Sequence, residues 1–319
     1  MKLLLIAFIL DLIFGDPYWL PHPIKLIGTF INYMEKNIRK IAKSDLSLKI
    51  YGVILLCITV VFSVLIVYVP LELLKKFGPI YYNIGFVYFS YTVLSTKCLA
   101  NEAKKVMQAL AVSLDEGRRR VAYIVGRDTK ELQEQEVIKA TIETVAENTT
   151  DGIIAPLIFL FIGGPVLAMA FKAVSTLDSM VGYQNEKYRD LGWASAKTDD
   201  ILNYIPARIS GFIMVIAAFI LRYDYANSYS ILLRDHDKHK SPNSAWTEAA
   251  AAGALNIQLG GSHEYFGKTV YKPSIGENLR TVEINDILKM NKLMITTSII
   301  FISFIYLCFS ILIENLLVG

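Results

Sequence analysis

Cysteine is scarce in this chain, and the little there is forms no pattern. Cys57, Cys98 and Cys308 are the only three in 319 residues. No two stand as CxxC, which removes a thiolate metal site and a disulfide framework. All three lie in or beside apolar runs, so buried, inert thiols are expected. Charge is scarce too: Asp, Glu, Lys and Arg make up 19%, against about 25% in average soluble domains. The 32 basic and 29 acidic residues leave a net charge of only +3. Nucleic acid, which selects basic surfaces, is therefore not an expected partner. A Walker A loop, a GxGxxG turn before a helix and a GxSxG elbow are all missing. Any ATP site must be of a non-standard kind. No internal repeat is visible, which argues against a transporter built from inverted halves.

What the chain does have is apolar length. It is 54% hydrophobic, with a mean hydropathy of +0.42. That excludes a disordered chain and argues against an ordinary soluble enzyme. The expected class is all-α: a polytopic integral membrane protein, taken as one membrane-embedded domain over 1–319. A cytoplasmic helical insert at 97–151 and a cytoplasmic loop region at 222–292 would be its polar parts.

Ile50–Val69 carries no charge and is long enough for about 30 Å of hydrocarbon. Pro70 is expected to end it. Gly78–Thr96 is a second span, joined by a loop at 71–77, and Leu293–Ile313 a third. Leu3–Phe14, extending towards Leu20, reads as a retained first membrane segment. Gly152–Phe171 is apolar but interrupted by Pro156 and Gly163-Gly164-Pro165, so a broken or re-entrant helix is expected there. Ile205–Leu221 is apolar with Arg208 in its first turn. Six Lys and Arg residues fall in 15–49 and none after Ile313. The positive-inside rule then puts 15–49 in the cytoplasm and the tail outside.

In the insert, Leu99, Ala103, Val106, Leu110 and Leu114 recur at helical spacing, closed by Gly117 and Arg118–Arg120. A second helix is expected from a Thr129 cap to about Asn148. Gly260-Gly261 reads as a turn.

Four blocks hold the chemistry. Glu143, Glu147 and Asp151 stand at i, i+4 and i+8, one face of a continuing helix. Their mutual repulsion would be relieved by a cation such as Mg²⁺, or more simply by solvent and Lys139. The stretch 172–208 is dense in acids, bases and tyrosines between apolar segments. Acids there suit Mg²⁺, and Lys and Arg suit phosphate oxygens; a charged connector is the plainer alternative. In 234–243, His236 and His239 stand three apart without an obvious third metal ligand, so phosphate or substrate binding outweighs zinc; a solvated polar loop is the plainer alternative. Ser244 or Asn243 caps an Ala-rich helix through Leu255. In 15–23, prolines fix an extended loop that carries Asp16 and His22.

Taken together, the blocks resemble one family. GDPYWLPHPIKLIG, VGRDT, ATIETVAENTTDGIIAPL, FKAVSTLDSMVGYQNEKYRDLGWASAKTDD, NYIPARISG, RDHDKHKSPNSAWTEAAAAGAL and YKPSIGE are similar to the cobalamin-biosynthesis family CobD/CbiB, the adenosylcobinamide-phosphate synthases. The likeness runs from residue 15 to about 277. Ser175 departs from it, since the family more often has Asn before Thr-Leu-Asp.

The resemblance implies a multi-pass cell-membrane enzyme with its active site facing the cytoplasm. It implies ATP-dependent joining of adenosylcobyric acid to (R)-1-aminopropan-2-yl phosphate or a related amino alcohol, with Mg²⁺ and no bound redox cofactor. The corrinoid, the amino-alcohol phosphate and the lipid bilayer are then the partners, with other enzymes of the pathway as candidates.

On that reading His236, His239, Asp178 and Glu147 are catalytic candidates. Glu143, Glu147, Asp151, Asp178, Asp199 and Asp200 are expected to hold Mg²⁺–nucleotide. Lys172, Lys187, Arg189 and Arg208 are expected on phosphates. Asp16, His22, Asn148, Tyr183, Arg234, Lys238 and Asn243 are further substrate-binding candidates. For the active block to meet cytoplasmic ATP, 152–171 and 205–221 must dip and return, or the block must fold into a cavity at the inner face. Labelling at Ser195 is the test that this reading suggests. The alternative is a non-catalytic membrane sensor like the distantly related AmpE family.

Overall fold

A computed structural model describes residues 1–17, 19–265 and 268–318. In chain order the helices are α1 (Lys2–Phe14), α2 (Pro23–Ile41), α3 (Asp45–Phe77), α4 (Pro79–Tyr91), α5 (Thr96–Val112), α6 (Leu114–Val121) and α7 (Glu134–Thr149). A π-turn at Thr150–Ile154 leads into α8 (Ala155–Val181). Then come α9 (Trp193–Leu202), α10 (Tyr204–Ile220), α11 (Tyr225–Asp235) and α12 (Ser244–Leu255). Strands β1 (Gln258–Tyr265) and β2 (Lys268–Gly276) precede α13 (Asn285–Val318). The expected all-α membrane class holds, with one antiparallel hairpin added. Among the described residues, three helical stretches are long and apolar enough to cross a membrane: Asp45–Phe77, Glu134–Val181 and Asn285–Cys308.

Local chemistry sets the boundaries and corrects several expected ones. Gly15 ends α1 at a φ of 62°, so the helix does not extend to Leu20. Pro70 lies inside α3 rather than ending it. The stretch 71–77 is therefore helix, and the turn falls at Gly78, with φ 124°, just before Pro79 opens α4. Pro is favoured at a first helical position, where its missing N–H costs nothing. In the insert, Ser113 accepts from the Glu116 amide and starts a new helix. Gly117 sits within that helix instead of closing the one before. Thr129 does not cap the next helix: a capping box at Gln133 and Glu136 starts α7 five positions later.

The expected breaks around 152–171 are present. Pro156 lacks an N–H and its ring would press on the Gly152 carbonyl in a regular helix. The wider π-turn at Thr150–Ile154 falls at that place. Gly163 (φ −139°, ψ 18°) and Gly164 (φ 64°, ψ −163°) leave helical geometry inside α8.

The helices gather into two units. One holds Met1–Ser95 and Ala155–Asn203, the other Thr96–Ile154 and Tyr204–Gly319. In the first, α3 packs on α8, α2, α4 and α9. The approach is close at Gly52, where a Cβ would fall 2.2 Å from the Leu191 carbonyl oxygen. The three insert helices belong to the second unit. Its centre is α12, every residue of which is buried. Ala and Gly make that possible: a Cβ on Gly253 would meet the Asn227 carbonyl oxygen at 2.6 Å. Around it pack α11, α10, α7 and α13. At the start of α13, Asp286 is buried and accepts from Arg280 at 2.7 and 2.8 Å, Lys289 at 2.9 Å and the Glu283 amide at 2.9 Å.

Cys57 and Cys308 are exposed on α3 and α13, and Cys98 is half-buried. The expectation of buried thiols fails for a physical reason. In a membrane protein the outward faces of helices are as apolar as the core, so apolar neighbours in sequence do not signal burial.

Candidate functional site

The site in the second unit is built around the N-terminus of α12. Asn243 is its cap residue, and Ser244 and Trp246 lie in its first turn. Ser244 donates its hydroxyl to Glu147 Oε1 at 2.8 Å, which ties the end of α7 to the start of α12. A carboxylate there is favoured by the helix dipole. Arg208, in the first turn of α10, donates Nη1 to the Tyr204 carbonyl at 2.6 Å and to Asn243 Oδ1 at 3.4 Å. Its guanidinium lies 3.3 Å from the Tyr204 ring centroid and 4.9 Å from that of Trp246. The His236 ring, just past α11, lies 4.5 Å from Trp246. Residues far apart in sequence thus converge: Glu147, Arg208, His236, Asn243, Ser244 and Trp246.

The two histidines differ. His236 Nδ1 is 3.1 Å from the Leu233 carbonyl oxygen. A carbonyl only accepts, so Nδ1 carries the proton and Nε2 of the neutral ring keeps its lone pair. His239 Nδ1 instead accepts from the Ser241 amide at 3.0 Å, so its Nε2 is an N–H donor. His236 has the form of a base; His239 has the form of a hydrogen-bond donor.

Other expected ligands are held by the fold itself. Glu143 is buried; its Oε2 accepts from Arg127 at 3.1 Å and its Oε1 from the Gly260 amide at 2.9 Å. It serves as the partner of a buried cation and a strand amide, not as an offered metal ligand. Arg234 and Lys238, expected on substrate, converge on Asp235, which has no exposed side chain. Asp235 accepts from Arg234 Nε and Nη2, Lys238 Nζ and the Gly276 amide at 2.7, 2.9, 2.6 and 2.8 Å. Arg234 also pairs with Glu277. Burial alone would push the Asp235 carboxyl up, but these hydrogen bonds win and hold it at about 2. The Arg234 guanidinium is correspondingly raised, first by Asp235 and then by Glu277.

Two buried carboxylates therefore clamp the base of the hairpin, one on each strand. Gly260 and Gly276 take φ of 77° and 81° there. Gly260-Gly261 is a bulge within β1, where the register with β2 shifts, and not the expected turn. Asn148 donates to the Thr144 carbonyl of its own helix at 2.9 Å, and Asp151 lies in the π-turn, off the regular spacing of Glu143 and Glu147.

In the first unit, α8 ends at Val181 and carries Lys172 and Asp178. The Asp178 carboxylate lies against the backbone of Gly182: a Cβ there would fall 1.9 Å from Oδ1. Gly192 approaches equally closely, with its Cβ position 1.9 Å from the Val181 carbonyl oxygen. Tyr188 stacks under Lys187 and Arg39, at 4.5 and 5.0 Å, and lies 6.0 Å from the ring of Tyr183. Arg39 also donates to the Lys187 carbonyl at 2.9 Å. Arg189 faces Asp190 at 3.4 Å, and Lys197 faces Asp200 at 3.8 Å. Asp199 accepts from Asn203 at 3.0 Å.

His22 and Asp16 lie 3.3 Å apart, on a loop pinned from α4. Tyr88 donates to the Pro21 carbonyl at 2.5 Å and Tyr91 to that of Gly15. Ser195 is buried, so it cannot report sidedness by labelling; Lys197 on the same helix is exposed.

Among the described residues, no three His, Cys, Asp or Glu side chains gather closely enough to hold a metal. That does not fit a dedicated metal cage. It does fit Mg²⁺ held by substrate oxygens with one or two carboxylates, the usual protein mode for this ion. Glu147, with one oxygen on a neutral hydroxyl, is the carboxylate suited to it. Sequence reasoning missed Trp246, Ser244, Asp235, Arg127 and Gly182. Arg127 and Gly182 sit in the quoted blocks VGRDT and MVGYQ, but neither spacing nor residue type marks them.

A helical membrane protein with a cluster of acidic, basic and aromatic side chains at the start of a buried helix is the class these features define. The chain belongs to the CobD/CbiB family, whose model matches residues 4–294. A "Cobalamin biosynthesis protein CobD" of Listeria monocytogenes serotype 4b (strain F2365) is 52% identical, covering 92% of this chain and 93% of its own. Proteins of the same name from Citrobacter koseri and Clostridium acetobutylicum are 47% and 45% identical. They cover 91% and 96% of this chain, and 91% and 98% of their own. No solved structure matches the chain.

Proposed function

We propose that this chain is the adenosylcobinamide-phosphate synthase of cobalamin biosynthesis. It joins adenosylcobyric acid to (R)-1-aminopropan-2-yl phosphate, or a related amino alcohol, at the expense of ATP, with the site open to the cytoplasm. The observation that supports this reading is the convergence of Glu147, Arg208 and His236 on the start of α12. The relatives' name supports the pathway, and nothing in them favours the sensor alternative.

A carboxylate is a poor acyl donor because its oxygen leaves badly. Transfer of the ATP γ-phosphoryl group to it gives an acyl phosphate and ADP. The neutral amine attacks the acyl carbon, inorganic phosphate leaves, and the amide forms. The amine must first lose its ammonium proton, and in this reading His236 Nε2 accepts it. Phosphate oxygens need a cation, and Arg208 is the one that would hold them at the start of α12. Mg²⁺, when bound, neutralises phosphate charge, and Glu147 is the side chain that would hold it.

The test is a mass-spectrometric joining assay on lipid-reconstituted protein, omitting ATP, Mg²⁺ and each substrate in turn. ATP-dependent adenosylcobinamide phosphate is the expected product. Its absence from folded protein supplied with every component overturns the proposal. Glu147→Gln keeps an oxygen for Ser244, so it should fold and insert yet lose turnover by at least tenfold; wild-type rates would remove Glu147 from the site.

A further inference from the structure

Arg208 differs from the other cations of the site in how firmly it is oriented. One nitrogen is tied to the Tyr204 carbonyl and Asn243 Oδ1. Its guanidinium carbon is 3.3 Å from the Tyr204 ring centroid and 4.9 Å from that of Trp246. Nε and Nη2 have no partner among the described residues, so one edge of the fork is left to bind. A guanidinium fixed in this way loses little freedom on binding, and its two parallel donors match a phosphate or carboxylate.

Trp246 also carries His236 at 4.5 Å. Arg208 and His236 are thus no further apart than the sum of their distances to one ring. Trp246 is itself over nine-tenths buried, and its indole N–H has no partner among the described residues.

We propose that Tyr204, Arg208, Trp246 and His236 form the site of the amine-bearing phosphomonoester rather than that of the nucleotide. The inference rests on the joining reaction proposed above and assigns one of its substrates. The reasoning is one of reach. The group that takes the ammonium proton must lie beside the amine, and in this small substrate amine and phosphate are only a few bonds apart. An oxyanion fork that shares a ring with the base is therefore the phosphate anchor of the amine, not of ATP. Trp246 is a positioning residue: it fixes the separation of anchor and base.

The experiment uses the full chain in lipid nanodiscs with Trp19 and Trp193 replaced by Phe, so that Trp246 is the sole tryptophan, excited on the red edge where tyrosine does not absorb. Aminopropanol phosphate is titrated alone, with isopropyl phosphate, inorganic phosphate and Mg²⁺–ATP as comparisons. Trp246 emission should respond saturably to aminopropanol phosphate and not to Mg²⁺–ATP. Arg208→Gln should weaken that response at least tenfold and raise KM for the amine at least tenfold, leaving KM for ATP within twofold. Arg208→Lys, which keeps the charge but not the fork, should fall between. Trp246→Leu should lower kcat as well as raise KM for the amine, because anchor and base both shift.

A response to Mg²⁺–ATP with a raised KM for ATP in Arg208→Gln overturns the assignment. So does a silent Trp246 when calorimetry shows the aminophosphate bound. A response to inorganic phosphate equal to that of aminopropanol phosphate also overturns it, marking a simple oxyanion site. Failure of the joining reaction in wild-type protein is a separate result and strikes the proposed function instead.

Discussion

Replacing Asp235 by Asn removes a charge that four donors hold in a fully buried place. The Asp235 carboxyl is lowered from its ordinary 3.8 to about 2. Its folded-state value is depressed, so the stability it contributes is complete above the unfolded value and is lost as pH falls through the folded one. At about 1.4 kcal/mol per pH unit, the linkage is worth about 2 kcal/mol, surrendered between roughly pH 4 and pH 2. The amide costs more than that at neutral pH. Its Nδ2 would face a donor, Lys238 would lose its carboxylate partner, and Arg234 would keep only Glu277. Arg234 and Lys238 are 44% and 38% exposed, so water screens them, and the addition is that of one mismatched buried hydrogen bond, about 1 kcal/mol.

Asp235→Asn should therefore destabilise the protein by about 3 kcal/mol at pH 7. It should also flatten the acid limb of the stability curve between pH 4 and pH 2. Unfolding by SDS in mixed micelles, followed by far-ultraviolet circular dichroism at a series of pH values, measures both. The difference between wild type and variant isolates Asp235 from the other carboxylates that titrate there. A variant within about 0.5 kcal/mol of wild type, the range of an ordinary surface change, with its acid slope intact, would refute the clamp at the hairpin base.

Gly182→Ala puts a Cβ where Asp178 Oδ1 now lies; if Asp178 is catalytic the joining rate per folded molecule should fall at least tenfold, and an unchanged rate would remove Asp178 from the catalytic candidates. Arg127→Met and Glu143→Gln should each cost about 3–5 kcal/mol, but the double variant much less than their sum, because each alone strands its buried partner. Additive losses in the same SDS titrations would show that the pair is not coupled. In a background with all three cysteines replaced, Lys197→Cys should react with an impermeant maleimide from the cytoplasmic side of oriented vesicles; labelling from the outer side alone would contradict a cytoplasmic site.

What was legible in the sequence followed from forces that act locally. Long uncharged runs, Gly163-Gly164-Pro165 and the Ala-rich stretch after Asn243 each dictate a backbone outcome from their own chemistry: the spans expected at 50–69 and 293–313, the break and α12 appeared where expected, whereas Gly78–Thr96 forms a helix of only 13 residues, too short to cross. Pro70 misled because its penalty, a lost hydrogen bond and a crowded Ile66 carbonyl, is one that a helix of 33 residues can absorb. The cysteines misled because apolar sequence in a membrane chain marks lipid as readily as core.

The site was legible only in part, for a further reason. Residue type shows that Glu143 and Glu147 are both acids, but not that Arg127 and a strand amide take the first while a hydroxyl takes the second. Arg208, Arg234 and Lys238 look alike in sequence, yet a single buried carboxylate separates them. Arg234 and Lys238 are committed to Asp235 and lock the hairpin; among the described residues Arg208 has only neutral partners and aromatic faces, which orient its charge without cancelling it. An oriented cation with no counter-ion is what an incoming phosphate needs. The distinction between a cation that builds the fold and one that serves the substrate thus lies in its partners, and it appears only when distant blocks are brought to the same helix end.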